Sequence, residues 1–158
     1  MRRINDILND TEYLNHINKI KKAEANRIYC RHDMAHFLDV SRIAYILSIE
    51  EKLNTNKEIF YAMGLLHDIG RWAEYENGID HCIASKEIAE KILTKYNFTI
   101  EERTKIMAAI EGHRKRDEAS PLGYILYRAD NLSRNCVLCD ARTMCKKFQN
   151  GEESFLLY

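Results

Sequence analysis

The chain holds a single proline and six glycines in 158 residues, too few turn formers for a many-stranded sandwich or barrel. It also lacks an excess of either charge, since 24 Lys and Arg balance 24 Asp and Glu. No global field then pulls it toward nucleic acid or an anionic membrane, and a nonspecific DNA binder is disfavoured. Long apolar runs are missing too. Met1-Arg2-Arg3 leads into a mixed Asn, Asp and Leu stretch with no continuous apolar segment, so neither a membrane span nor an export signal is expected. Five cysteines, an odd number, in a chain without such a signal read as reduced thiols or metal ligands in a cytoplasm, not as a disulfide framework. The length fits one domain over residues 1–158. A domain of this size buries about 70% of the surface its unfolded chain exposes. Apolar packing suffices to fold it, so a bound metal is expected to serve function.

What is present is helical spacing of apolar residues almost throughout, which predicts an all-α single-domain bundle of about six helices. The first is expected from Arg3 to Ala25. A second opens near Tyr29 and carries His32, His36, Val40, Ile43 and Leu47 on one stripe. A third, from about Asn56, presents Ile59, Met63, Leu66 and His67, with Gly70 placed to end it. Asp80 can cap a fourth, whose stripe is His81, Ala84, Ile88 and Ile92. Thr99 with Glu102 forms a capping-box pattern for a fifth, ending at His113. Ser120-Pro121 fits the first two positions of a sixth, with Leu122, Leu126, Ala129, Asp130 and Ser133 on its inner face.

Four histidines and an aspartate on those stripes need a reason. An ionised Asp130 facing a core is costly unless paired. Its neighbours Leu126 and Ala129 offer no partner, so a cation from elsewhere would satisfy it. One core histidine is ordinarily just a hydrogen-bonded packing residue. The set is harder to dismiss, because His36, His67, Asp68, His81, His113 and Asp130 fall on five successive helices. Imidazole with carboxylate is the ligand mix that suits Mn, Fe, Ni, Co or Zn. His67-Asp68 sits where an apolar helix ends, a place where adjacent side chains can converge although neighbours on a regular helix point about 100° apart. His32 reads first as a helix-start residue or one that orients a ligand from outside, then as a substrate contact.

The order His36, His67-Asp68, Asp130, in the settings His36-Phe37-Leu38-Asp39-Val40, Leu65-Leu66-His67-Asp68-Ile69-Gly70 and Tyr127-Arg128-Ala129-Asp130-Asn131-Leu132, resembles the HD superfamily of metal-dependent phosphohydrolases. The resemblance covers about Tyr29 to Arg134. It implies an all-α bundle in which His36, His67, Asp68 and Asp130 hold a metal. His81 and His113 match the additional histidines of two-metal members, with Asp68 bridging. The Gly-Tyr-Pro signature of the cyclic-dinucleotide branch does not occur here, which disfavours cyclic-di-GMP cleavage.

The implied activity is hydrolysis of a small soluble phosphate ester, a nucleotide being the leading case, by metal-hydroxide attack on phosphorus with Asp68 at the centre. Charge developing on the phosphoryl group calls for Arg or Lys at the pocket mouth. Arg71 is the best placed, and Lys115 in Arg114-Lys115-Arg116 could add a contact or be a solvated loop residue. Trp72 and Tyr75 could stack on a base but read more readily as packing. The alternative is a regulatory module that binds nucleotide or metal without turnover. Neither a nucleic-acid polymer nor a membrane is expected as partner. Cys136, Cys139 and Cys145 form a separate Cys-rich segment at 136–145 suited to Zn or an iron-sulfur cluster, or to simple packing. Cys30 lies six residues before His36 as Cys136 lies six after Asp130, about 9 Å along each helix. If those helices run antiparallel the two come level, and Cys30 is the expected fourth ligand. Cys82 reads as packing.

Overall fold

The computed structural model describes residues 1–114, 120–151 and 157–158. It is all-helical among those residues: α1 (Arg2–Leu8), α2 (Thr11–Ala23), α3 (Met34–Glu50), α4 (Lys57–Leu66), α5 (Arg71–Asn77), α6 (His81–Lys95), α7 (Ile100–Gly112) and α8 (Pro121–Leu132), then a 3₁₀ turn (Arg142–Met144) and one-turn α9 (Lys146–Gln149). Among the described residues no helix is long and apolar enough to cross a membrane.

Helix starts follow side-chain capping of backbone N–H groups that would otherwise lack partners. Thr99 and Glu102 form the expected capping box of α7, and Ser120 with Pro121 opens α8 as the sequence predicts. Asn56 and Asp80 cap α4 and α6. Three boundaries differ. The expected first helix is two, because the Asp10 carboxylate accepts from the backbone of Glu12 at 2.6 Å and Tyr13 at 3.0 Å and starts α2 afresh. The second helix begins at Met34, with Asp33 accepting from the His36 N–H at 2.9 Å. His32 therefore lies ahead of the helix, not on its stripe. Gly70 does not finish the third helix, which ends at Leu66; it precedes α5, an element the sequence reading did not resolve.

One apolar core, including Phe37, Val40, Leu47, Phe60, Met63, Leu66, Ile106, Ile110 and Leu126, is fully buried. α3 packs on α4 and α8, and α7 packs on α6 and α8. Two glycines set the spacing near the site. A Cβ on Gly64 would stand 2.3 Å from Ser41 Oγ and 2.7 Å from Ser41 Cα, so α3 and α4 meet backbone to backbone. That approach brings His36 and His67 together, with ring centroids 5.5 Å apart. A Cβ on Gly70 would stand 2.4 Å from Ser85 N, and the Gly70 N–H donates to Ser85 Oγ at 2.9 Å. The 67–70 turn is thereby seated on α6, beside His81.

Candidate metal centre

The histidines sit at helix ends or first turns, where local acceptors fix their rings. His67, the C-cap of α4, directs Nδ1 to Gly64 O at 2.8 Å. His113, the C-cap of α7, does the same to Ile110 O at 2.6 Å. Each uses a carbonyl three residues back that the helix end leaves without its own partner. His36 Nδ1 lies 3.1 Å from Ser133 Oγ, whose hydroxyl donates to Asp130 O at 2.8 Å. The hydroxyl proton being committed there, Nδ1–H of His36 is the donor. His81 Nδ1 meets Glu74 Oε2 at 2.6 Å, with Arg71 Nη1 2.7 Å from the same nitrogen. In His36, His67 and His113 Nδ1 is tied outward, which leaves the Nε2 lone pair facing inward; His81 Nε2 also faces the centre, but Arg71 Nη1 lies 3.2 Å from it.

Two carboxylates meet those Nε2 atoms. Asp130 Oδ1 is 3.3 Å from His36 Nε2 and 3.9 Å from His67 Nε2. Asp68, in the turn after α4, divides its oxygens: Oδ2 lies 3.6 Å from His67 Nε2, while Oδ1 lies 3.3 Å from His81 Nε2 and 3.8 Å from His113 Nε2. His36 Nε2, His67 Nε2 and Asp68 Oδ1 are buried without any hydrogen-bond partner among the described residues. Buried polar atoms are otherwise almost always satisfied. Donor atoms of His36, His67 and Asp130 lie within 4.8 Å of one another, as do those of His81, Cys82 and His113. The donor set and its orphaned atoms fit divalent transition ions.

Electrostatics agree. Burial pushes His36 down to about 4, helped by the charges of Arg134 and His67 against Asp130. Burial likewise lowers His81 and His113. These rings are neutral near pH 7, the form that coordinates metal. Burial would raise Asp68, but the facing histidines outweigh it and hold the carboxyl far below the usual range. Asp130 is lowered too, its burial offset by His36 and Arg134. Two ionised carboxylates facing the lowered rings of His36, His81 and His113 suit a cation.

The centre opens into a cavity of about 270 Å³ whose walls include three arginines, Arg71, Arg114 and Arg134, with Tyr127 and Asn131. A wider depression of about 920 Å³ runs along α2 at Glu12, His16 and Lys19, but none of the orphaned buried atoms faces it, so the chemistry belongs to the smaller cavity.

Of the predicted site residues, His36, His67, Asp68, His81, His113 and Asp130 are brought together, and Arg71 lines the cavity. Lys115 lies outside the described residues. Asp130 is corrected in one respect: Arg134 Nη2 donates to its Oδ1 at 2.5 Å, and its side chain is 22% exposed. It has a partner one helical turn on. Trp72 packs, stacking on His16 with centroids 5.7 Å apart and donating to its Nδ1 at 3.0 Å. Tyr75 donates to Glu24 Oε1 at 2.7 Å. Burial pushes the Cys82 thiol up to about 11.

Sequence reasoning missed Glu24 and Arg134. Glu24 Oε1 meets His32 Nδ1 at 2.5 Å, its Oε2 accepts the His32 N–H at 2.7 Å, and His32 Nε2 faces Asp68 Oδ2 at 3.2 Å. His32 thus spans two buried carboxylates, and its donor atom lies within 4.8 Å of those of His36 and Asp68. Nothing local marks Glu24, whose partner lies eight residues on. Arg134 did carry a signal, four residues after Asp130, the spacing of a helical ion pair.

Residues 34–135 match the HD domain family. The chain belongs to that family. It is 43% identical over 158 residues to an uncharacterized protein of Clostridium beijerinckii, covering 100% of this chain and 99% of the relative. It is 32% identical over 131 residues to ribonuclease Y of Mycoplasma mycoides, covering 82% of this chain but only 28% of that enzyme's length. The crystal structure of a predicted HD superfamily hydrolase from an uncultured Thermotogales bacterium matches with a TM-score of 0.63 at 28% identity, over 83% of this chain and 73% of that one. Family and neighbour together support a metal-dependent phosphohydrolase at the level of the superfamily.

Proposed function

We propose that this HD domain hydrolyses a small phosphate ester, a nucleotide in the leading case, at a centre of two divalent ions. The observation that carries the reading is the set of four histidines with Nε2 turned onto Asp68 and Asp130, Nδ1 tied outward in His36, His67 and His113, and three of the buried facing atoms orphaned. His36, His67, Asp68 and Asp130 would hold one ion, and Asp68, His81 and His113 the other. The division of Asp68 between its two oxygens supports a bridging role. When bound, such ions supply Lewis acidity and an activated water.

The chain's own residues supply the rest. Glu24 holds His32 against Asp68 and so fixes the bridging carboxylate. Arg71 is partly buried between Glu74 and His81, with Nη1 3.0 Å from Glu74 Oε2, and is positioned at the cavity wall to neutralise a phosphoryl oxygen. Arg134 anchors Asp130 through Nη2, while its Nη1 is buried without a partner, so a donor remains for an anion. Three guanidinium groups around about 270 Å³ suit a compact, highly charged phosphate group.

The test is turnover of a panel of phosphate monoesters, diesters and nucleotides by metal-loaded protein. Activity should vanish with chelator, return with Mn, Fe, Ni or Co, and be absent in Asp68→Ala. Absence of turnover across the panel with both sites loaded would reject the reading in favour of a binding module that does no chemistry.

A further inference from the structure

The segment after α8 lacks an apolar interior of its own. From Asn135 to Gly151 only Ala141 is buried, at 3% exposure, while Val137, Leu138 and Met144 stand out at 52%, 81% and 51%. The three cysteines do the opposite and face inward, each partly buried. Ordinary packing would reverse that choice, since Val, Leu and Met gain most by leaving water. The same inversion recurs before α3, where Ile28 and Tyr29 are exposed and Cys30 is partly buried.

Backbone turns fold the segment that carries three of the thiols. Tight turns run through the segment, with Arg142 N–H donating to Cys139 O at 3.1 Å and Cys145 N–H to Arg142 O at 3.2 Å. Across the gap, Arg27 Nε donates to Cys30 O at 2.8 Å, and the His36 to Ser133 contact ties the start of α3 to the end of α8. Burial raises the Cys136 thiol, Lys147 opposes, and the neighbouring Cys30, Cys139 and Cys145 push it further up. The helical offset expected of Cys30 and Cys136 does not apply, because Cys30 precedes α3, which begins at Met34, and Cys136 follows α8, which ends at Leu132.

We propose that Cys30, Cys136, Cys139 and Cys145 bind one zinc ion as a tetrathiolate that folds the C-terminal segment onto the HD core. Zinc takes four thiolates in a tetrahedron with bonds of about 2.3 Å. Among the described residues, the compact groups with donor atoms within 4.8 Å involve the histidines and not this quartet, so binding draws the four sulfurs inward. Half-exposed thiols without an apolar cover suit a redox-inert ion better than an iron-sulfur cluster. The ion would act as the core this segment lacks, its binding energy serving as local folding energy. Ser133 and Arg134, which touch His36 and Asp130, lie between that knot and the metal centre, so the zinc holds the catalytic end of α8 in place. The inference stands independently of the proposed reaction.

The experiment uses the full chain, stripped of weakly held ions with EDTA and then titrated with p-hydroxymercuribenzoate in the presence of a zinc-sensitive dye. One zinc per chain should appear as four thiols react. Cobalt-grown protein should show intense thiolate-to-cobalt charge-transfer absorption, a wild-type readout that no folding defect can confuse. Cys30→Ser, Cys136→Ser, Cys139→Ser and Cys145→Ser should each take the zinc from one to none while Mn binding at the histidines persists, and Cys82→Ser should keep it. The proposal is overturned by rapid reaction of the thiols without zinc release, by Cys30→Ser retaining the full zinc and the charge-transfer band, or by iron with acid-labile sulfide at these cysteines.

Discussion

Ser133→Ala probes the centre without replacing a proposed ligand. The hydroxyl lies 3.1 Å from His36 Nδ1 and donates to Asp130 O at 2.8 Å. It therefore fixes the tautomer that leaves His36 Nε2 free and couples that ring to the helix carrying Asp130. Removing an outer partner of a metal-binding histidine typically costs 10- to 100-fold in metal affinity, about 1.4 to 2.8 kcal/mol. An independent route gives a similar size, since a buried N–H left without an acceptor costs about 1 to 3 kcal/mol. The assay is Mn titration of EDTA-stripped protein, chosen because Mn favours nitrogen and oxygen over thiolate ligands. Ser133→Ala should bind Mn about 10- to 100-fold more weakly, with Ser133→Thr, which keeps the hydroxyl, close to wild type. Affinity in Ser133→Ala within twofold of wild type would refute the reasoning, and so would Thr as weak as Ala.

Arg134→Ala should lower kcat/KM for the best phosphate ester by about 100- to 1,000-fold, the usual cost of one preorganised charged donor; an unchanged kcat/KM would remove Arg134 from the site, and Mn titration separates this from loss of its Asp130 contact. The metal-free protein should lose thermal stability as pH falls from about 6.5. His36, lowered to about 4, and Glu24, held at about 2 by His32 against the opposing effect of burial, both bind protons more readily when unfolded. Their contributions are complete above the ordinary values of 6.5 and 4.5 and are lost as pH falls through the folded ones. Thermal unfolding followed from pH 7 to 3 checks this, and a melting temperature that stays level or rises on acidification would contradict it. Glu24→Gln should flatten the lower part of that curve.

What the sequence determined by itself was local or periodic. Capping at Asn56, Asp80, Thr99 and Ser120 depends on residues two or three apart, and the ordered histidine and aspartate pattern survives any error in helix boundaries. The break at Asp10 was equally local but lay in a polar stretch with little apolar contrast to reveal it. Gly70 looked like a helix stop because its real reason, the approach of the Ser85 backbone, is fifteen residues away. Only tertiary structure decided which imidazole nitrogen faces inward. For His36 the partner is Ser133, 97 residues on; for Asp68, His32 and its support Glu24 come from the segment between α2 and α3. Such contacts leave no spacing in the chain, because side chains from separate helices meet only after the core has set the angles between those helices.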